Sequence, residues 1–116
     1  MSNIVSDMVI KIGPLDIDVF FIPGDNEDFG DFTYLQSQIR VDSRLKSTAL
    51  VDTLLHEILH AIAYTSGETL DGGRLHGENN EESVVNNFAN YLTQVFRDNK
   101  WLLHYFVNNL LDKTKK

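Results

Sequence analysis

The sequence predicts an α+β fold, in which a small N-terminal antiparallel β-sheet is followed by three α-helices, within a single domain over residues 1–116. Two observations lead to this prediction. Up to residue 41 apolar residues alternate with polar ones, which is the period of β-strands, whereas from Ser47 they recur every three or four residues, which is the period of helices. A chain of this length can bury one hydrophobic core but not two.

The first two strands are predicted to form a β-hairpin. Residues 8–22 read MVIKIGPLDIDVFFI, with alternating apolar residues on both sides of Gly13-Pro14. A Gly-Pro pair between two alternating segments is typical of a turn.

Residues 23–31, PGDNEDFGD, are rich in turn formers and acids and are predicted to form a loop. Two further short strands are predicted within residues 32–41, separated by a turn. Ile39 and Val41 are expected to face the core, because residues two apart in a strand share one face.

Three helices are predicted in the second half of the chain. Ser47 is a candidate N-cap of the first helix, whose apolar pattern runs to Tyr64 and which Gly67 is well placed to end. The second is expected to begin near residue 79 or 80 and to continue to about residue 98. The third, over residues 101–111, is amphipathic and is expected to pack on the first two.

Composition excludes several classes of function. The formal net charge is −7, so the basic footprint of a nucleic-acid-binding protein is missing. The chain has no cysteine, which excludes disulfides and thiolate metal sites and favours a cytoplasmic location. No signal peptide is recognisable, and no apolar run approaches the roughly 18 residues that cross a membrane. No membrane partner is therefore expected, and no oligomeric state is predicted.

The segment HEILH places two histidines and a glutamate on the first predicted helix. At roughly 100° per residue, His60 lies about 40° from His56, and Glu57 lies about 100° from it. The apolar residues of the helix occupy the opposite side. Imidazoles one helical turn apart can bind one metal ion, and a glutamate directly after the first histidine can reach a water at that ion.

The alternative is that this polar strip is the solvated face of an ordinary helix. Such helices normally carry long charged side chains on the outer face. Residues 49–66 contain no lysine or arginine, and their only carboxylates are Asp52 and Glu57. A helix this apolar is expected to lie in the interior, where its polar strip needs partners. The metal site is therefore the preferred interpretation.

A third protein ligand is needed, since a catalytic zinc usually has three. The metzincin pattern is excluded, because it requires glycine and histidine where this chain has Ala63 and Ser66. A carboxylate or a third histidine remains. Glu81 and Glu82 open the second predicted helix, although acids in a first turn also stabilise the helix dipole.

At these residues the chain resembles a known family. The segments HEILHAI (56–62) and EESVVNNFANYLTQVFRDN (81–99) are similar to those of the gluzincin zinc peptidases in a minimal form. They resemble more closely the small phage and mobile-element proteins related to the ImmA/IrrE metallopeptidases. In gluzincins an acid or amide follows the ligand glutamate by four residues and supports a ligand histidine, and Glu82 with Asn86 fits that spacing. Ser83 departs from the alanine that is common in ImmA-like proteins.

The resemblance implies a zinc-dependent metallopeptidase that hydrolyses peptide bonds in a protein or peptide substrate. The metal ligands would be His56, His60 and Glu82, with Glu81 as the alternative third ligand. Zinc would lower the pKa of a water toward about 7. Glu57 would be the general base that takes the proton of this water and passes it to the leaving amine.

Three features of the mechanism stay open. An oxyanion stabiliser is expected, for which the candidates are Tyr64, His76, His104 and Tyr105. A peptide substrate is expected to add along an exposed strand such as residues 38–41. The glycine-rich loop of residues 66–80 would be either a lid or a plain connector.

A second class of function is a non-catalytic binding module of a phage or mobile element that keeps zinc for stability. Such a structural site is usually closed by a fourth protein ligand, for which His76 is the candidate. The presence of Glu57 favours the peptidase, because two histidines and a carboxylate bind zinc without it. A metal-free helical protein is the third alternative.

Overall fold

A computed structural model describes residues 5–23, 29–69 and 72–111. A four-stranded sheet precedes three helices, so the predicted α+β class is confirmed. The strands are β1 (Met8–Ile12), β2 (Leu15–Ile22), β3 (Gly30–Thr33) and β4 (Gln38–Asp42), and the helices are α1 (Ser47–Thr65), α2 (Glu78–Asp98) and α3 (Lys100–Leu110). Most of the predicted loop of residues 23–31 lies outside the described residues, and its last two residues belong to β3.

The sheet is mixed rather than wholly antiparallel as predicted. Its strand order is β1-β2-β4-β3, and the two sequential pairs β1–β2 and β3–β4 are antiparallel hairpins, as expected. The central pair, β2 and β4, is parallel. The chain from β2 passes to the far edge of the sheet to form β3 and then returns through β4. Hairpins are encoded by local turns, whereas this central pairing depends on a long connection with no local signal.

The central parallel pair forms the core. Val19 is opposite Ile39 in the register, and both side chains are completely buried, as are Ile17 and Val41. The inward orientation that was predicted for Ile39 and Val41 is therefore confirmed. α1 packs on this apolar face through the fully buried Ala61, whose small side chain allows the helix to approach the sheet closely.

The ends of α1 differ in how well the sequence predicted them. The helix begins at Ser47, so its N-cap is Lys46 rather than the predicted Ser47, and no side-chain capping hydrogen bond is formed. It ends at Thr65, close to the predicted position. Gly67 follows with a left-handed φ of 83°, and its N–H donates a hydrogen bond to the carbonyl oxygen of Tyr64.

The third helix is attached differently from the prediction. α2 begins at Glu78 and ends at the predicted Asp98, and its long face packs on α1. α3 packs mainly against the end of α2, where the rings of Phe96 and Phe106 meet with centroids 6.4 Å apart. None of the described side chains of α3 is buried. The predicted packing of this helix on both α1 and α2 is therefore wrong.

None of the helices in the described ranges combines the length and the apolar character that crossing a bilayer requires.

Candidate metal centre

His56 and His60 lie side by side on the face of α1 that meets the first turn of α2. Their Nε2 atoms are 3.2 Å apart, and their rings meet edge to face with centroids 4.9 Å apart. Two nitrogens bound to one tetrahedral metal ion at about 2.05 Å would be separated by roughly 3.3 Å. The helix therefore presents both Nε2 atoms at a spacing that suits one shared ion.

Glu82 brings a carboxylate from α2 to the same point. Its Oε1 is 2.8 Å from Nε2 of His60, and its Oε2 is 3.3 Å from Nε2 of His56. One ligand atom from each of the three residues lies within 4.8 Å of the others. We call His56, His60 and Glu82 the donor triad. Two imidazole nitrogens and a carboxylate oxygen can hold a divalent metal ion such as zinc.

Glu81 contacts the other side of His60. Its Oε2 lies 2.5 Å from Nδ1 of His60, and the tautomer in which Nδ1–H donates to this carboxylate leaves the lone pair on Nε2. This is the arrangement by which a carboxylate fixes the tautomer and the ring orientation of a metal-binding histidine. The two candidate glutamates thus both reach His60, but they reach opposite nitrogens.

Glu81 gives His60 the kind of support that was expected for a ligand histidine from Asn86. Asn86 lines the cavity beside the donor triad, whereas the described side-chain contact to Nδ1 of His60 is made by Glu81. The two glutamates are adjacent on a helix, so their side chains diverge by about 100° and can flank the imidazole.

Glu57 is buried beside the donor triad, with 6% of its surface exposed. It lines the same cavity as His56 and His60. Its Cγ is close to β3, because a Cβ added at Gly30 would lie 3.4 Å from it. The Glu57 side chain is therefore held between α1 and β3 rather than in open solvent.

Gly30 allows β3 to approach α1 at this point. An added Cβ would lie 2.9 Å from Cγ2 of Thr53 and 3.0 Å from the carbonyl oxygen of Arg40. We expect Gly30→Ala to lower the free energy of unfolding by about 1–3 kcal/mol, because such overpacking displaces the strand. Chemical denaturation measures the effect. Adding Thr53→Ser, which removes the clashing methyl group, should restore part of the loss, and a Gly30→Ala protein as stable as the wild type would contradict the packing argument.

The donor triad opens into a cavity of about 1230 Å³ between α1, α2 and β3. One wall is aromatic and consists of Phe29, Phe32, Tyr34 and Tyr64. Within it, the rings of Tyr34 and Tyr64 stack with centroids 4.9 Å apart. Only Tyr64 was identified from the sequence as facing the site. Phe32 could not be identified in this way, because alternation along a strand does not say which of its faces meets α1.

The exposed strand beside the cavity is β3 rather than β4. β4 is hydrogen-bonded on both sides, to β2 and to β3, so the predicted addition of a peptide along residues 38–41 is wrong. β3 is the outer strand of the described sheet. It is tied to β4 by Arg40, whose Nε and Nη2 donate to Asp31 at 3.0 and 2.5 Å. This pairing with Asp31 raises the pKa of Arg40, which keeps the guanidinium charged.

The four candidates for oxyanion stabilisation separate into two pairs. Tyr64 and His76 line the cavity. His104 and Tyr105 lie on exposed α3 and are not among the described residues that line it. His76 is outside the donor triad, and its Nδ1 lies 3.2 Å from the carbonyl oxygen of Thr69.

The described part of the loop between α1 and α2 is held by contacts within itself. Arg74 donates to Glu68 from its side chain and from its backbone N–H, and the backbone N–H of Leu75 donates to the carbonyl oxygen of Glu68. These hydrogen bonds from Arg74 lower the pKa of Glu68. Thr69 and His76, from either end of this loop, reach the cavity wall.

Comparison with protein-family models, with curated proteins and with solved structures finds no match for this chain.

Proposed function

We propose that this protein is a zinc-dependent metallopeptidase of the gluzincin type, in which His56, His60 and Glu82 hold the metal and Glu57 is the general base. The observation that carries the proposal is the convergence of the donor triad. Nε2 of His60, which bears a lone pair when Nδ1–H donates to Glu81, faces a second imidazole nitrogen and a carboxylate within 3.3 Å. One divalent ion bound between these three atoms would satisfy all of them.

The choice of zinc follows from the kinds of donor. Imidazole nitrogen suits zinc, copper, iron and nickel, whereas an ion such as magnesium or calcium prefers an all-oxygen shell. A set of two histidines and one glutamate is a common catalytic zinc set and leaves a position for substrate or water. Such an ion would act as a Lewis acid that polarises the scissile carbonyl and acidifies water.

The chain's own residues supply the remaining chemistry. Glu57, buried against β3, takes the proton of the attacking water and delivers it to the leaving amine. Glu81 holds His60 in the required tautomer. Tyr64 and His76, which line the same cavity, are the candidates for stabilising the negative charge on the carbonyl oxygen.

The substrate is proposed to be an extended segment of a protein or peptide. The outer edge of β3 can accept an additional strand, so that the backbone of the substrate passes along the donor triad. The aromatic wall would then contact an apolar side chain of that segment. Large cavities lined by aromatic residues with a few polar groups are typical binding sites.

Elemental analysis of the protein purified without an affinity tag tests the metal assignment. About one zinc per chain is expected, because three donors converge on one point. Protein that contains no zinc, and takes up none on reconstitution, would refute the metal centre. Zinc-loaded protein that cleaves nothing in a mass-spectrometric digest of a diverse peptide library would favour the second candidate, a zinc-stabilised binding module.

The different roles of Glu81 and Glu82 are separable by substitution. Glu82→Gln replaces the negatively charged metal ligand of the donor triad by a neutral amide. Glu81→Gln keeps a hydrogen-bond acceptor near Nδ1 of His60. We expect Glu81→Gln to weaken zinc binding by about 10–100-fold, as for other residues that support a ligand. The loss for Glu82→Gln should be larger, as measured by competition with a chelating indicator. A larger loss for Glu81→Gln would exchange the two roles.

A further inference from the structure

The feature that the proposed metallopeptidase function leaves unexplained is α3. Its apolar residues Leu102, Leu103, Phe106, Val107 and Leu110 form what we call the α3 stripe. They recur at intervals of one, three and four residues and span roughly 140° of the helix surface. This is the pattern of a helix that packs against a hydrophobic partner.

The described structure leaves most of the α3 stripe uncovered. Phe106 touches Phe96, but it remains substantially exposed, and Leu110 is 82% exposed. Tyr105, about 60° from the edge of the α3 stripe, is also exposed. Contiguous apolar surfaces of this size on a protein mark sites of association.

We infer that the α3 stripe is the interface of a symmetric dimer, in which α3 packs antiparallel against α3 of a second copy of this chain. Phe106 lies at the middle of the α3 stripe, so a twofold axis near it would bring the two ends of the stripe against each other. The antiparallel orientation also places the N-terminus of each helix dipole near the C-terminus of the other.

The area of the α3 stripe suits this partner. The accessible surface that it leaves uncovered is on the order of 500 Å² per chain, so two stripes would together remove roughly 1,000 Å² from water, which is near the lower limit of a specific interface. Two α3 stripes therefore reach the minimum area that a specific dimer needs.

The charge distribution also favours a second copy at this place. With a net charge of −7, two copies repel each other over most of their surfaces. α3 is the one helix of the three without an acidic residue, and its only charged residue is Lys100. Its other polar residues are His104, Asn108 and Asn109 rather than the lysines and arginines that bind anionic membranes.

The mass of the full chain in solution tests the dimer. Sedimentation equilibrium of the wild type should give about twice the chain mass of 13.2 kDa at micromolar concentration, with or without a chelator. Leu110→Glu and Val107→Glu place an acid on the α3 stripe and should each weaken association by about 100-fold or more. Asn108→Glu introduces the same charge on the polar face of the same helix and should leave the dimer intact.

The variants are suited to this test because Leu110 is so exposed that a charge there does not disrupt the folded chain. Circular dichroism and zinc content measured on the same samples separate loss of the dimer from loss of the fold or of the metal. A wild type of single-chain mass at about 100 µM would overturn the inference, as would equal effects of Leu110→Glu and Asn108→Glu. Monomeric protein that sediments with vesicles of anionic phospholipid would overturn it in favour of a membrane surface.

Discussion

Glu57→Gln is expected to abolish peptide hydrolysis while leaving zinc bound. The substitution keeps the size and shape of the side chain but removes the carboxylate that would accept a proton from the attacking water. Loss of a general base usually lowers turnover by about 10²–10⁴-fold. Because Glu57 is not a member of the donor triad, the zinc content should remain about one per chain. The measurement is the cleavage rate of a peptide identified from a library digest by the zinc-loaded wild type.

The matched control is Asp52→Asn. Asp52 lies on α1, lines the same cavity, and loses the same charge on substitution, but it is not directly beside His56 in the chain. If Glu57 acts as the base, Asp52→Asn should retain most of the activity. Equal losses of cleavage rate in the two variants would show that the rate depends on the total negative charge of the cavity and not on Glu57 as a proton acceptor. A Glu57→Gln protein that cuts as fast as the wild type would refute the mechanism.

His60→Ala is expected to cause the largest loss of metal affinity. Structural zinc in small domains is bound with roughly 10–16 kcal/mol, so one of three protein ligands carries about 3–5 kcal/mol, which corresponds to a 10²–10⁴-fold change in affinity. His60 is also the residue that Glu81 holds in place, so that this support is lost with it. Competition with a chelating indicator measures the change.

Zinc should also raise the melting temperature of the wild type, because a ligand that binds only the folded state stabilises it.

His76→Ala distinguishes the proposed catalytic site from a closed structural site. His76 lines the cavity but is outside the donor triad, so its removal should change zinc affinity only slightly. If His76 were a fourth ligand, as in the non-catalytic alternative, the two histidine variants would lose comparable affinity. In that case the thermal stabilisation by zinc would disappear in both.

The histidine pair could be predicted from the sequence because the geometry that joins its members is local. A helix places residues four apart on one face whatever surrounds it, so the proximity of His56 and His60 follows from the spacing alone. The same holds for the hairpin at Gly13-Pro14 and for the end of α1 before Gly67, since each depends on the backbone preferences of a few neighbouring residues.

The roles of Glu81 and Glu82 could not be separated in this way. Adjacent helical residues point about 100° apart, and which of them reaches Nε2 of His60 depends on how α2 is rotated against α1. That rotation is set by packing between the two helices, where Val85 and Ala89 are buried. The expectation that Asn86 supports a ligand histidine stays a prediction, since Glu81 occupies Nδ1 of His60 and leaves His56 as the histidine that Asn86 would support.

The sequence by itself determined the α+β class and the local elements that carry the chemistry, including the helical face shared by His56 and His60. These depend on interactions within a few residues, which a periodic pattern records directly. Only the tertiary structure decided that β3 is the strand beside the donor triad and that α3 is left largely uncovered. Both depend on contacts between segments distant in the chain, where several arrangements bury the same apolar residues and packing selects among them.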